Sequence, residues 1–154
     1  MTTPATPPTV EATPLRMRIW FALSAALVVG VMITVSVLLK TSTTGVVAFR
    51  TSDQVATMGI GLALGGAILY CARPRMTADA AAVTVRNIVG THVVPWEHVR
   101  AVRFDEHSPW ASLLLSNEDE MSVLAVQAAD GERAVRAVEG MRALLAASRV
   151  DGVV

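Results

Sequence analysis

Three histidines are the first candidates for chemistry, because imidazole is both a common metal ligand and a proton carrier at neutral pH. His92, His98 and His107 lie close together in the sequence, and Glu97 lies beside His98. No two of them have the i,i+4 spacing of a helical zinc site, and no Cys-x-x-Cys pair accompanies them. Surface positions in loops and at strand ends account for these side chains, so we predict no metal site and no cofactor.

The sequence contains no motif for covalent catalysis or phosphate binding. It lacks G-x-S-x-G, a phosphate-binding glycine loop and a dinucleotide fingerprint. The single cysteine, Cys71, rules out an intrachain disulfide and has no histidine near it in the sequence. The consecutive acids Glu118, Asp119 and Glu120 are typical of a solvated turn rather than of paired catalytic carboxylates. We therefore predict that the protein is not an enzyme and has no catalytic residues.

Two tryptophans and one arginine are the candidate interaction residues. Trp96 follows Pro95 at a turn, where filling the core is favoured over anchoring an interface. Trp110 leaves a loop after Pro109, and for this residue the two roles stay open. Arg100 would form a basic strip with Arg86 and Arg103 if the fold brought the three arginines together.

The elements that position these residues follow from composition. Hydrophobic residues make up 53% of the 154-residue chain, charged residues only 17%, and the mean hydropathy is +0.50. Two apolar runs, 19–39 and 55–72, account for this bias, and the first is long enough to span about 30 Å as a helix. We predict a transmembrane hairpin over residues 16–75. The first run is too long for a signal peptide and lacks a small-x-small cleavage site.

Small residues are spaced for close helix packing. Gly61 and Gly65 form a G-x-x-x-G pair in the second run, and Ala22, Ala26 and Gly30 have the same spacing in the first. We take Gly30, Gly61 and Gly65 as candidate helix-packing residues. Packing of the hairpin on itself and a homodimer face are both compatible with this pattern, so the oligomeric state stays open.

Positive charge flanks the two runs unevenly. Four arginines lie on the side shared by the start of the first run and the end of the second, against two basic residues between the runs. By the positive-inside rule this bias favours both termini in the cytoplasm. We predict a multi-pass protein of the cell (plasma) membrane. The four residues are Arg16, Arg18, Arg73 and Arg75, and the two are Lys40 and Arg50.

The segments outside the hairpin differ from each other in composition. Residues 1–15 are rich in threonine and proline and predict a disordered tail, with a partner-docking motif as the alternative. After Arg75 the chain has seven arginines against eleven acids, a formal net charge of about −4. This charge argues against nucleic-acid binding and weakens attraction to anionic headgroups.

Residues 77–150 predict one small α+β domain. About five short β-rich segments with brief connections indicate an antiparallel meander. Asp130 then caps a helix over residues 131–148, whose apolar stripe would cover the sheet. The strands are predicted near residues 81–87, 91–94, 99–104, 110–115 and 121–128, and the stripe consists of Val135, Val138, Met141, Leu144 and Leu145.

The arrangement resembles a known family. After the hairpin come Val85–Asn87 (VRN), Pro95–Val99 (PWEHV), a strand starting at Trp110, and a helix after Ala125–Val135 (AVQAADGERAV). These features, over about residues 16–149, resemble small actinobacterial two-helix membrane proteins with a short C-terminal pleckstrin-homology (PH)-like domain. The resemblance implies a PH fold and a non-enzymatic interaction module. A full PH domain has seven strands, so the predicted domain is abridged and headgroup binding is not carried over.

These observations predict a membrane-tethered binding or scaffolding module at the inner face of the bilayer. Its partners would be the lipid bilayer and an unidentified protein, with no nucleic acid. Two alternatives stay open: an accessory subunit that packs its hairpin against a larger membrane complex, and a lipid-sensing module. The second would need a basic cluster near the bilayer, because each basic residue there contributes about 1 kcal/mol.

Overall fold

A computed structural model describes residues 9–41, 50–105 and 107–151. The chain divides into two compact units. Residues 17–72 form one unit; residues from 73 onward, together with the segment before residue 17, form the other. The predicted tail over residues 1–8 and most of the connection between the apolar runs, 42–49, lie outside the described residues.

The unit of residues 17–72 is built on two antiparallel helices, as the apolar runs predict. Helix α1 covers Leu15–Thr41 and extends beyond both ends of the predicted run 19–39. Helix α2 covers Thr51–Tyr70, so it begins before the predicted run 55–72 and ends before it does. Each is long and apolar enough to cross a membrane, with mean hydropathies of 2.5 and 1.2 over their most apolar windows. Buried Ser36 donates a hydrogen bond from Oγ to the carbonyl of Gln54 at 3.3 Å, which ties the end of α1 to the start of α2.

The other unit contains two antiparallel sheets and a helix, which confirms the predicted α+β class. The first sheet has the order β1-β2-β3-β4 and the second the order β5-β6-β7. The strands are β1 (Val10–Ala12), β2 (Arg75–Ala78), β3 (Ala82–Arg86), β4 (Thr91–Pro95), β5 (Val99–Arg103), β6 (Trp110–Leu115) and β7 (Glu120–Gln127), and helix α3 covers Glu132–Asp151.

The structure corrects the predicted strand count and the predicted single meander. The described residues form seven strands in two sheets, and the two strands that sequence reasoning missed are β1 and β2. Both are very short, and β2 begins immediately after the proline that ends the second apolar segment, so neither shows the repeated alternation that identifies a strand. The expectation of an abridged domain was therefore wrong.

The predicted disordered tail is also wrong for residues 10–12. Val10 pairs with Ala78 and Ala12 pairs with Met76, so β1 is an integral strand of the first sheet. In addition to the backbone pairing, the side chain of Glu11 forms an ion pair with that of Arg75 at 3.0 Å. A strand that precedes the two apolar helices therefore completes a sheet whose other strands all follow them.

The core lies between the sheets and α3. Strand residues such as Met76, Val83, Val85 and Leu113 are fully buried, and α3 buries a stripe against them. The predicted stripe is correct except for Val135, which is 47% exposed. The helix buries Ala134, Ala137, Val138, Met141, Leu144 and Leu145.

One side chain joins the two sheets. Asn87, just after β3, donates from Nδ2 to the carbonyl of Ser122 at 2.8 Å and accepts from the amide of Leu124 at 3.3 Å. The two bonds occupy neighbouring backbone groups of β7, in the way a partner strand would. Asn87 therefore closes part of the β7 edge and fixes the first sheet on the second.

Candidate functional site

Trp96 lies at the junction of the two sheets. It begins a 3-10 turn, Trp96–His98, between β4 and β5, and its side chain is 3% exposed. The indole Nε1 donates a hydrogen bond to the carbonyl of Asp79 at 2.7 Å, which satisfies the only polar group of this side chain. Trp96 is thus a core residue whose position depends on the turn between β2 and β3.

That turn is built by Asp79. Its Oδ1 accepts the backbone N–H groups of Ala81 and Ala82 at 2.8 and 2.9 Å, while its own amide donates to the carbonyl of Ala82 at 3.0 Å. The N–H groups of Ala82 and Ala81 hold the pKa of Asp79 below its ordinary value of 3.8, because they stabilise the carboxylate. Sequence reasoning missed Asp79, although an aspartate ahead of small residues between two strands is a signal for such a turn.

Arg100 lies on β5, which is an edge strand of the second sheet. Val99 pairs with Leu115 and Ala101 with Leu114, so Arg100 is the extra residue of a β-bulge. Its side chain is exposed, with Nη1 at 4.0 Å from Glu118 Oε1. Its backbone carbonyl points away from β6 and accepts a hydrogen bond from Arg149 Nη2 at 2.5 Å.

A second arginine of α3 binds the same strand. Arg142 donates from Nε and Nη2 to the carbonyl of Val102 at 3.3 and 3.2 Å. Arg142 and Arg149 are seven residues apart, so they lie on one face of the helix, two turns from each other. Together they cap successive outward carbonyls of β5. We call Arg100, Val102, Arg142 and Arg149 the arginine-capped edge.

This edge differs from the basic strip that the sequence suggested. Arg86 lies on β3 of the other sheet, where it pairs with Arg75 in the ladder, and so is not on β5. Arg142 and Arg149 were missed because their spacing reads only as the polar side of an amphipathic helix. Their contacts with β5 join residues about forty or more positions apart, and nothing in the local sequence indicates them.

An open groove of about 810 Å³ adjoins the arginine-capped edge. Trp96 and Arg100, two of the three candidate interaction residues, both line it. Trp110 does not: it lies at the start of β6, whereas Leu115 at the other end of β6 pairs with the first residue of β5. Trp110 is 40% exposed. Besides Trp96, the wall of the groove includes Val99, Ser116, Ser148 and Arg149.

Two of the three candidate packing glycines lie in the contact between α1 and α2, and the third does not. Gly61 and Gly65 are buried against α1: a Cβ on Gly61 would lie 2.7 Å from Met32 Cβ, and one on Gly65 would lie 2.7 Å from Val29 Cγ2. Both glycines therefore serve packing within the hairpin. A Cβ on Gly30 would meet nothing within 4 Å, so Gly30 lies on a different face of α1.

The histidines are exposed and separate. His92, His98 and His107 all have exposed side chains, and His98 Nε2 lies 3.9 Å from Glu97 Oε1. Within residues 9–41, 50–105 and 107–151, no three His, Cys, Asp or Glu side chains form a cluster able to hold a metal ion. The features that the structure brings together are hydrogen-bond donors, carbonyls at the edge of β5 and positive charge, which suit binding.

Comparison with known proteins agrees with this architecture. Residues 73–144 match the family described as bacterial PH domain. An uncharacterised protein of Mycobacterium bovis and one of Mycobacterium tuberculosis are each 42% identical to this chain over 132 residues, which is 85% of this chain and 85% of each relative. No solved structure matches the chain.

The matched segment starts just before β2 and includes most of α3, so it contains six of the seven described strands. The remaining strand, β1, lies ahead of the apolar helices. The chain therefore belongs to the same family as these mycobacterial proteins, its residues 73–144 belong to the bacterial PH-domain family, and the hairpin is inserted between the first and second strands of the domain.

Proposed function

We propose that the protein is a membrane-anchored, non-catalytic binding module whose PH domain is held at the cytoplasmic face of the plasma membrane by the inserted hairpin. The observation that carries the proposal is the pairing of β1 with β2, through Val10 with Ala78 and Ala12 with Met76. These two strands flank the whole hairpin in the sequence.

Strand pairing constrains how the helices are placed. Backbone hydrogen bonds between β1 and β2 require both strands to lie on the same side of any membrane, so the chain between them crosses an even number of times. Two apolar helices meet this requirement. A signal peptide cleaved after α1 would remove β1 from the protein and leave β2 as an unprotected edge, which argues for a retained anchor.

The surfaces of the helices support a lipid environment. Only 11% of the most apolar window of each helix is buried. Leu27 is 68% exposed and Leu62 is 64% exposed, so these apolar side chains lack the protein contacts of a core helix. In water such exposure is unfavourable, at about 25 cal/mol per Å² of apolar surface. A bilayer removes this cost.

The charges that flank the helices support the orientation. Arg16, Arg18, Arg73 and Arg75 lie near the end of the hairpin that joins the domain, against Lys40 and Arg50 at the other end. This asymmetry favours the PH domain in the cytoplasm. The acidic charge of the domain disfavours adsorption to anionic headgroups, so a protein is the preferred partner.

Cysteine labelling of the full chain tests the proposal. In a Cys71→Ser background, single cysteines are placed at Thr9, at Ser42 and at Val89, which is in the turn between β3 and β4. With an impermeant maleimide on intact cells, we expect Ser42→Cys to react, and Thr9→Cys and Val89→Cys to react only after lysis. The protein should stay in the membrane fraction after an alkaline carbonate wash.

The outcomes are distinct. Recovery of the protein in the carbonate supernatant would overturn membrane anchoring. Reaction of Thr9→Cys and Val89→Cys from opposite sides would overturn the inserted hairpin, because β1 and β2 could not then pair. Reaction of both from outside would keep the hairpin and reverse its orientation.

A further inference from the structure

The outer edge of β5 is closed by side chains rather than by a strand. β5 has β6 on one side, and on the other side its two outward carbonyls, of Arg100 and Val102, accept hydrogen bonds from Arg149 and Arg142. At Val102 the outward carbonyl is accompanied by the N–H group of the same residue, as in a regular antiparallel strand. Arg100 is the extra residue of the bulge, where this regular spacing is interrupted. The edge therefore offers an incoming strand one regular pair of backbone groups, at Val102, and one further carbonyl, at Arg100.

The guanidinium groups of Arg142 and Arg149 are placed to exchange the β5 carbonyls for other acceptors. Arg142 and Arg149 are both exposed, and a guanidinium bonded to a neutral carbonyl keeps its full charge without a counterion. No carboxylate of residues 9–41, 50–105 and 107–150 lies within 4.0 Å of either guanidinium, and within the same residues Arg100 has only Glu118, at 4.0 Å. Carboxylates are stronger acceptors for guanidinium groups than carbonyls are.

This edge carries positive charge, whereas the domain as a whole is net acidic. After Arg75 the chain has seven arginines against eleven acids, yet three of those arginines lie together here. The adjoining groove of about 810 Å³ gives room beside β5. Ser116 and Ser148 are further hydrogen-bonding groups in its lining, and Glu97 is the one acidic residue there, against Arg100 and Arg149. The partner that complements this surface is extended and negatively charged.

We propose that the arginine-capped edge binds an extended acidic peptide segment of a partner protein by strand addition to β5. Amides of the incoming strand replace the guanidinium groups at the carbonyls of Arg100 and Val102. The released Arg142 and Arg149, together with Arg100, then pair with carboxylates of the same segment. The inference deepens the proposed function, since it assigns a class of partner to the binding module.

The charge of the domain favours a protein over lipid. After Arg75 the chain has seven arginines against eleven acids, which disfavours adsorption to anionic headgroups.

The test uses the full chain in nanodiscs of neutral phosphatidylcholine, with fluorescent octapeptides as probes. The acidic probe alternates glutamate with threonine. Its matched controls replace glutamate by glutamine or by lysine, and a further control carries N-methyl groups on alternate amides, which removes strand hydrogen bonds and keeps the charge. Fluorescence anisotropy measures binding.

We expect the acidic probe to bind with a dissociation constant below about 1 mM and the lysine probe not to bind. The double variant Arg142→Gln, Arg149→Gln should weaken binding by about tenfold or more, because charge-assisted hydrogen bonds are lost. N-methylation should weaken binding to the unmodified protein by a similar factor. Arg133→Gln, on the first turns of α3, is the matched control and should leave binding unchanged.

Equal binding of the acidic and N-methylated probes would overturn strand addition, and equal binding by the double variant would overturn the role of the caps. Absence of any binding by the acidic probe would overturn the proposal as a whole. Adsorption of the nanodiscs to phosphatidylglycerol vesicles that depends on Arg142 and Arg149 would assign the edge to lipid and overturn a protein partner. The labelling at Thr9, Ser42 and Val89 is independent of these readouts, so failure of the membrane proposal is recognised separately.

Discussion

Val10 of β1 packs directly onto Gly140 of α3: a Cβ added to Gly140 would lie 2.6 Å from Val10 Cγ2. The contact joins the strand ahead of the hairpin to the last helix of the chain, and only a glycine leaves room for it. At the other end of this part of α3, the amide of Arg16 donates to Asp130 Oδ1 at 3.2 Å, beside the start of the helix. The PH domain is therefore closed by a segment that the matched residues 73–144 do not contain.

This contact predicts that Gly140→Ala changes the free energy of unfolding in opposite directions in two backgrounds, with Val10 and with Val10→Ala. Gly140→Ala improves helix propensity by about 1 kcal/mol but forces an overlap that costs about 1–3 kcal/mol. We expect it to lower the free energy of unfolding in the native chain. In a Val10→Ala background the overlap is removed, so the same substitution should raise the free energy of unfolding by up to about 1 kcal/mol. Urea unfolding of the detergent-solubilised chain, followed by tryptophan fluorescence, measures both values; the same sign in both backgrounds would contradict the contact.

The inserted hairpin predicts which truncations fold. Because Ala12 and Met76 are paired neighbours, a short Gly/Ser loop in place of residues 15–72 should keep β1 in the sheet and yield a folded domain. Deletion of residues 1–72 removes β1, exposes the edge of β2 and should lower the free energy of unfolding by roughly 2–4 kcal/mol. Amide NMR dispersion and thermal unfolding compare the two proteins. Equal stability would show that β1 does not support the domain.

Asp79 predicts a dependence of stability on pH. The folded pKa of this carboxyl is lower than its ordinary value of 3.8, so the stabilisation is complete above the ordinary value and is lost as pH falls through the folded pKa. Asp79→Asn keeps a side-chain oxygen as acceptor and does not titrate. We expect the free energy of unfolding of the native chain, relative to Asp79→Asn, to be constant near neutral pH and to fall below about pH 4. A constant difference down to pH 2 would contradict the assignment.

The positions of the helix glycines predict that leucine disrupts the hairpin at Gly61 or Gly65 but not at Gly30. Leucine at Gly61 or Gly65 would overlap Met32 or Val29, so either substitution should separate α1 from α2. Gly30→Leu meets open space and should leave the hairpin intact. In a Cys71→Ser background, a bifunctional maleimide joining Ser36→Cys to Gln54→Cys reports the helix contact. We expect at least a severalfold loss of cross-linking for Gly61→Leu and none for Gly30→Leu; equal yields would place Gly61 outside the helix contact.

Local pattern was sufficient for the three helices and for strands β3 to β7, but not for the very short strands β1 and β2. The two apolar runs predicted α1 and α2 because unbroken hydrophobicity over that length is typical of a helix that spans a bilayer. Period-two segments predicted β3 to β7, and the spacing of Val138, Met141 and Leu145 predicted the buried side of α3. For the site, Trp96 and Arg100 were selected from the sequence and both line the groove, while Arg142, Arg149 and Asp79 were not selected.

The sequence by itself determined which segments are apolar or helical and which of the longer segments are extended, since each of these properties depends on residues a few positions apart. Tertiary structure decided what required contact between distant residues: that Val10 reaches Gly140 and makes β1 part of the domain, that Gly61 rather than Gly30 packs the hairpin, and that Arg142 and Arg149 cap β5. The physical reason is that a guanidinium or a glycine has the same local preference whether or not it finds such a partner. Only the folded chain brings the carbonyls of β5 within reach of those arginines.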